Sequence, residues 1–338
     1  VNEGRFWKAP LQPLGWTYLG LMRLRAWLYA SRRLERVPLP RPAVSVGNLT
    51  FGGTGKTPVT VFLARLVREL GGRPAVLLRG YGRLTRGARL AGPAETSETV
   101  GEEAILLARS LPGVPVAVGE RREEAAALVA DDSDLLLLDD AFQHLRVRRD
   151  LDLLLVDASR PGDLRAPPLG RLREPLKAAR RADMVLVTRG GAADLPRSLK
   201  TWTGGIPVLG CRFPWSRSEP KETSSAWWHV ARSPLVAFAG IGNAEAFFAQ
   251  AEQEGLRIVS ALAFPDHAAP TAERLAAVHR AAREAGAAAV LTTAKDAVKW
   301  APLWPGGLPL VWPELEVELE DPAGALRGSL ARLLEGQR

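Results

Sequence analysis

The chain has 338 residues, with 45 Lys and Arg against 37 Asp and Glu and a formal net charge of +8. Its 46% hydrophobic and 24% charged residues exclude a disordered polymer, and its length suits two domains. The basic balance favours acidic partners, although an Arg-rich surface accounts for it equally well; no Lys/Arg run is interleaved with aromatics as a nucleic-acid groove requires, so no nucleic-acid partner is expected.

In chain order, Leu14 to Ala30 comes first, rich in Leu, Trp and Tyr and interrupted by Arg23 and Arg25. It is too broken by charge to span a bilayer and lacks the clean apolar core and small-residue cleavage site of a secretory signal. It reads as a helix, with Leu21, Leu24 and Leu28 three and four residues apart. Trp16, Tyr18, Trp27 and Tyr29 suit a lipid headgroup boundary. Apolar residues run nearly all round it, so the residues alone fit an interfacial helix and a helix packed on its own domain equally.

Pro38, Pro40 and Pro42 close this segment. A strand at Val44–Val46 leads into a glycine-rich turn and a helix over Thr57–Leu70. Further strands are expected at Ala75–Leu78, Val114–Val118, Leu135–Leu138, Leu153–Val156 and Met184–Val187. Helices are expected at Glu102–Ser110, Glu120–Ala130 and around Ala178–Ala182. Short apolar runs alternating with helices predict an α/β fold with a parallel sheet covered on both faces. The stretch from Thr201 to Arg232 loses this rhythm and reads as a linker. A second, smaller α/β unit follows, with strands at Leu235–Ala239, Ile258–Ala261 and Ala289–Thr292 and helices at Ala244–Glu254 and Thr271–Ala285.

Cys211 is the single cysteine, which excludes an intrachain disulfide and a cysteine metal cluster and points to a reducing, cytoplasmic setting. His144, His229, His267 and His279 form no HExxH pair, so a zinc hydrolase is not expected.

The central motif is Gly52-Gly53-Thr54-Gly55-Lys56-Thr57, set between a strand and a helix. Glycines let the backbone wrap a phosphate with its N–H groups turned inward, and the helix N-terminus adds partial positive charge. Lys56 would reach the β- and γ-phosphates, and Thr57 would offer its hydroxyl to Mg²⁺. Thr50 stands where the strict P-loop pattern has its first glycine, so the match is to the motif's core. Leu135–Leu138 ends in Asp139-Asp140, and an apolar strand ending in Asp places a carboxylate beside Mg²⁺; either aspartate fits. ATP and Mg²⁺ are the expected cofactors. A membrane-associated switch ATPase shares such a loop but carries Lys before the first glycine, where this chain has Phe51. A GTPase would carry Asn-Lys-x-Asp, and Ala294-Lys295-Asp296 is not that motif.

Six segments in order make a more specific pattern: Ser45-Val46-Gly47-Asn48-Leu49-Thr50, Arg79-Gly80-Tyr81-Gly82-Arg83, Asp139-Asp140-Ala141-Phe142-Gln143-His144, Leu172-Arg173-Glu174-Pro175, Phe264-Pro265-Asp266-His267 and Thr292-Thr293-Ala294-Lys295-Asp296. Together they resemble the tetraacyldisaccharide 4′-kinase (lipid A 4′-kinase) family over nearly the whole chain. The resemblance implies transfer of the ATP γ-phosphate to the 4′-hydroxyl of a tetraacylated glucosamine disaccharide. It also implies a peripheral position on the cytoplasmic face of the bacterial inner membrane, and it favours the interfacial reading of the first helix. The implied organisation is an interface helix over 1–37, a P-loop kinase domain over 38–200, a linker over 201–232 and a second α/β domain over 233–338.

The family's catalytic histidine maps onto His267, an imidazole suited to proton transfer and oriented by a carboxylate. The family's Gly-Asp-Glu-Pro reads Gly101-Glu102-Glu103-Ala104 here, so Glu102 stands for the aspartate with one more methylene, a displacement of about 1 Å. Asp266 is its rival for the orienting role. Ala141 replaces a family glycine, so a positive φ there would change the local geometry. Tyr81, Arg121, Gln143 and Arg173 are the implied acceptor contacts, the arginines for the acceptor's 1-phosphate or the γ-phosphate charge. Thr292, Lys295 and Asp296 resemble the family's second-domain contact with nucleotide.

Overall fold

A computed structural model describes residues 11–216, 227–230, 232–266 and 268–336. The chain divides into two compact units, Val1–Phe213 with Val317–Arg338, and Pro214–Glu316.

The first unit opens with α1 (Gln12–Ala30), β1 (Ala43–Asn48), α2 (Lys56–Glu69), β2 (Pro74–Leu78) and β3 (Arg89–Leu90). Then come α3 (Ser97–Val100), α4 (Glu102–Ser110), β4 (Val116–Val118), α5 (Arg122–Ala127), β5 (Leu135–Asp139), β6 (Leu151–Asp157), β7 (Met184–Thr188), α6 (Arg197–Lys200) and β8 (Val208–Arg212). The basic segment expected as a helix around Ala178–Ala182 is a 3₁₀ helix, Leu176–Arg181.

The second unit holds β9 (Pro234–Ala239), α7 (Ala244–Gln253), β10 (Arg257–Ala263), α8 (Ala272–Glu284), β11 (Ala289–Leu291), α9 (Ala294–Trp300) and β12 (Leu310–Val311). The chain then returns to the first unit with β13 (Glu318–Glu320) and α10 (Ala325–Glu335).

The first unit is built on a nine-stranded sheet of order β13-β8-β7-β6-β1-β5-β2-β4-β3. The seven inner strands are parallel, while β13 and β3 pair antiparallel at the edges. β1 lies between β5 and β6, and Val46 pairs with Asp139. The phosphate loop and the aspartate pair therefore emerge side by side at the carboxyl end of the sheet, where open α/β sheets bind ligands. Inner strands covered on both faces need apolar residues throughout, and Leu135 to Leu138 are all fully buried. α2 lies across β1, β2 and β5 and buries Val59, Leu63, Leu66 and Val67, a stripe at helical spacing.

α1 is apolar on two faces for two reasons. Gly15 is buried against Pro167, and Leu19 packs on the core beside β6 and β7. The opposite side leaves Leu14, Trp16, Leu21, Leu24 and Trp27 exposed.

The second unit is a parallel sheet of order β10-β9-β11-β12. Side chains of β9 alternate across it: Leu235 and Ala237 join Phe247 and Ala251 of α7, while Val236 and Phe238 join Val278 of α8 and Trp300 of α9.

Two boundaries differ from the sequence reading. The expected linker over 201–232 contains β8, a Gly- and Arg-bearing strand too irregular to signal itself. Residues 317–338, expected in the second domain, belong to the first unit: Glu318–Glu320 pair with Gly210–Arg212, and Leu334 packs over Gly72 beside α2.

Candidate active site

Gly55 opens α2 with φ of 87°, and a Cβ built there would lie 2.3 Å from the Phe213 ring; both facts reserve the position for glycine. Asn48 at the end of β1 donates to the Thr54 hydroxyl at 3.0 Å. The Phe51 N–H donates to the Arg171 carbonyl at 2.7 Å. On the other flank Arg189, itself in the left-handed region and ion-paired with Asp157, donates to the Gly53 carbonyl at 3.3 Å. A peptide's C=O and N–H point in opposite directions, so fixing the Gly53 carbonyl also fixes where the Thr54 N–H points.

The two aspartates have different surroundings. Asp139 is buried and accepts from the Thr60 hydroxyl at 3.2 Å. Burial, and next the nearby Glu103 carboxylate, push its carboxyl up to about 7. Asp140 is partly open, and there burial is outweighed by Lys56 and Arg173, which hold its carboxyl below the usual range. Lys56 Nζ lies 3.5 Å from Asp140 Oδ1, and Arg173 Nη1 lies 2.6 Å from the same oxygen. The left-handed residue of this segment is Asp140, with φ of 50°, while Ala141 takes no positive φ and is fully buried. The alanine is thus accommodated without strain, because aspartate tolerates the left-handed region.

These carboxylates fit a divalent cation. They are hard oxygen donors, and a 2+ ion would favour the ionised form of Asp139 that burial, and next Glu103, disfavour. Lys56 and Thr57 begin α2, which puts the Thr57 hydroxyl in the helix turn that leaves the loop.

Gln143 and Arg173 both belong to this site. The Gln143 amide donates to the Asn48 carbonyl at 2.8 Å, and its oxygen accepts from Arg173 at 3.4 Å. The Arg173 N–H donates to the Leu49 carbonyl at 2.7 Å, and its guanidinium lies over Phe51, 5.1 Å from the ring centre. Glu102 is the first residue of α4, and the carbonyl of Tyr81 approaches the Gly101 that precedes it. Tyr81 itself is 74% exposed.

Arg121 does not join them. It is exposed and pairs with Glu123 at 3.1 Å and Glu124 at 3.3 Å. Its neighbour Arg122 is the buried one, donating to the Gly119 carbonyl at 2.7 Å. Burial pushes Arg122 down to about 10 against the pull of Asp139 and Asp140. Sequence reasoning missed Arg122, Glu103, Asn48, Thr60 and Arg189. Only Asn48, within the quoted Ser45–Thr50 segment, and Glu103, within the quoted Gly101–Ala104 segment, carried a sequence signal.

In the second unit, Thr293 caps α9: its hydroxyl accepts from the Asp296 N–H at 3.1 Å and donates to the Asp296 carboxylate at 2.7 Å. Asp296 also accepts from the Gly240 N–H at 2.9 Å, and burial raises its carboxyl. Thr292 is fully buried beside it. Lys295 lies 3.4 Å from Asp266. His267 lies outside the described residues.

A phosphate loop at the switch between β5 and β6, a lysine on the loop's helix, and an aspartate pair on the neighbouring strand define a P-loop nucleotide-binding protein. The sequence profile of the Tetraacyldisaccharide-1-P 4′-kinase family matches residues 7–334, and the chain belongs to that family. A tetraacyldisaccharide 4′-kinase of Pelobacter propionicus is 41% identical over 300 residues, covering 86% of this chain and 82% of the relative. One of Geobacter sulfurreducens is 40% identical over 333 residues, covering 93% and 90%. Among solved structures, LpxK from Aquifex aeolicus in complex with ATP superposes with a TM-score of 0.76 at 28% identity, over 96% of this chain and 99% of that one.

Proposed function

We propose that this chain is an ATP-dependent kinase that transfers the γ-phosphate to the 4′-hydroxyl of a tetraacyldisaccharide 1-phosphate, a step of lipid A biosynthesis. The observation that carries the reading is the convergence of Lys56, Arg173 and Gln143 on the Asp140 side of the phosphate loop, within a chain of this family.

In this reading the loop N–H groups and Lys56 hold the triphosphate. Thr57 and Asp139 or Asp140 would hold Mg²⁺, which would supply positive charge to stabilise the triphosphate. Glu102 assists the acceptor hydroxyl with His267, whose part rests on the family resemblance; Asp266, bonded to Lys295, is the alternative orienting carboxylate. Gln143 and Arg173 face the acceptor or the transferring phosphate, with Tyr81 on the exposed rim. Arg121 fits an acceptor role poorly because Glu123 and Glu124 already occupy its guanidinium. Thr292 and Lys295 keep the nucleotide role that the family resemblance implies for them. The chain's contribution is positioning and charge stabilisation more than covalent chemistry.

The substrate carries acyl chains, and α1 supplies a reason for the enzyme to meet it at the cytoplasmic face of the inner membrane. None of the described helices is long and apolar enough to cross a bilayer. α1 instead exposes Leu14, Trp16, Leu21, Leu24 and Trp27, and Arg33 lies over the Trp27 ring at 4.5 Å. An apolar face edged by aromatics and arginines is the pattern of a helix lying in the headgroup region.

The test is phosphate transfer from γ-labelled ATP to detergent-dispersed tetraacyldisaccharide 1-phosphate, with Lys56→Ala and His267→Ala beside wild type. Lipid labelling that collapses in both variants supports the kinase and His267. ATP hydrolysis without lipid labelling in any detergent would remove the acceptor assignment.

A further inference from the structure

Two residues of the site share an arrangement that ties them to α1. Arg173 reaches Asp140 with its side chain, while its backbone carbonyl accepts from the Tyr18 hydroxyl at 3.1 Å. Gln143 reaches the Asn48 carbonyl with its side chain, while its own backbone carbonyl accepts from Arg25 Nη1 at 3.1 Å. Each is pinned by α1 at the backbone and touches the site with its side chain. Tyr18 and Arg25 lie two turns apart on α1, half-buried at the edge of the docked stripe, with the exposed Leu21 about one turn from each.

The contacts are specific. Arg25 supplies a charge-assisted hydrogen bond, stronger than a neutral one. Burial raises the Tyr18 hydroxyl's pKa, so it stays protonated and able to donate. The helix can approach this closely because position 15 is glycine: a Cβ there would sit 1.6 Å from the Pro167 carbonyl oxygen.

We propose that α1 is part of the catalytic machinery as well as an anchor, with Tyr18 and Arg25 as positioning residues that hold Arg173 and Gln143 against Asp140 and the phosphate loop. The inference rests on the kinase reading for its substrate. It requires one helix to carry the lipid-facing surface and, along the adjoining stripe, the supports of the site, so that seating the helix and ordering the site are one event.

The test uses the full chain, ATP and mixed micelles of detergent and tetraacyldisaccharide 1-phosphate, with Mg²⁺ titrated. Tyr18→Phe should lower kcat roughly tenfold, because small misplacements of positioning groups cost about that much or more. KM for the lipid should stay within about twofold, and the Mg²⁺ concentration for half-maximal rate should rise. In an Arg173→Lys background the further loss from Tyr18→Phe should shrink to under about twofold, since both changes act through one residue. Arg25→Gln should behave like Tyr18→Phe, and Arg25→Lys should recover part of the rate. A kcat within twofold of wild type in both Tyr18→Phe and Arg25→Gln overturns the proposal, as does full additivity with Arg173→Lys. Loss of vesicle sedimentation with kcat unchanged would make α1 an anchor only. If wild type labels no lipid, the kinase reading fails. The positioning claim is then judged by Mg²⁺-dependent binding of a fluorescent ATP analogue, where an unchanged Mg²⁺ requirement in Tyr18→Phe overturns it.

Discussion

Arg121 and Arg122 illustrate what one residue of phase decides. Arg121→Ala should change unfolding free energy by no more than about 0.5 kcal/mol, because exposed pairs contribute little. Arg122→Ala should cost roughly 2–4 kcal/mol in a denaturant titration, because it empties a buried site and strands the Gly119 carbonyl. Sequence reasoning named Arg121 as an acceptor contact and did not single out Arg122. Which one turns inward depends on how the chain leaves β4, and no local pattern encodes that. His144 is a second case at this scale. Burial, and next Arg122, hold its imidazole down at about 4. A base with a depressed folded pKa gives stability that is present above its unfolded value near 6.5 and lost as pH falls towards 4. Wild type should therefore lose roughly 3 kcal/mol more than His144→Asn between pH 7 and pH 4, measured by urea unfolding at each pH.

At the scale of elements, the strand–loop–helix of β1 and α2 and the apolar β5 were legible because they obey strong local rules: wholly apolar strands, a glycine loop and a stripe at helical spacing. α1 was legible as a helix, but its partner was not. Its apolar residues run all round because one side meets the core and the other is open, and a sequence cannot say which side is which. Gly15 marks the docked side. Gly15→Val should lift α1 from Pro167, exposing Tyr18 and Arg25 and lowering kcat at least as far as Tyr18→Phe does. Protease sensitivity near residues 12–30 should rise alongside, read by limited proteolysis. Unchanged activity and protection together would mean the helix seats without that contact.

For the whole molecule, the net charge of +8 and the arginines around α1 predict salt-sensitive binding to anionic vesicles. Sedimentation with anionic vesicles should weaken as ionic strength rises from about 0.05 to 0.5 M, because screening shortens the reach of surface charge. A residual fraction should persist through the apolar face of α1 and disappear in Leu21→Ser/Leu24→Ser. Binding that ignores salt would assign the association to apolar burial alone.

The sequence by itself determined the fold class, the phosphate loop, the aspartate pair and the family. Each rests on residues adjacent in the chain or on motifs whose order survives without coordinates. Tertiary structure decided where the chain re-enters the first unit, through β13 on β8 and α10 beside α2. It decided which of Asp139 and Asp140 meets Lys56 and Arg173, and that Arg122 rather than Arg121 is buried. It also decided that Tyr18 and Arg25 support residues more than 100 positions away. Those are long-range pairings, and hydrogen bonds between distant segments leave no periodicity or spacing to read.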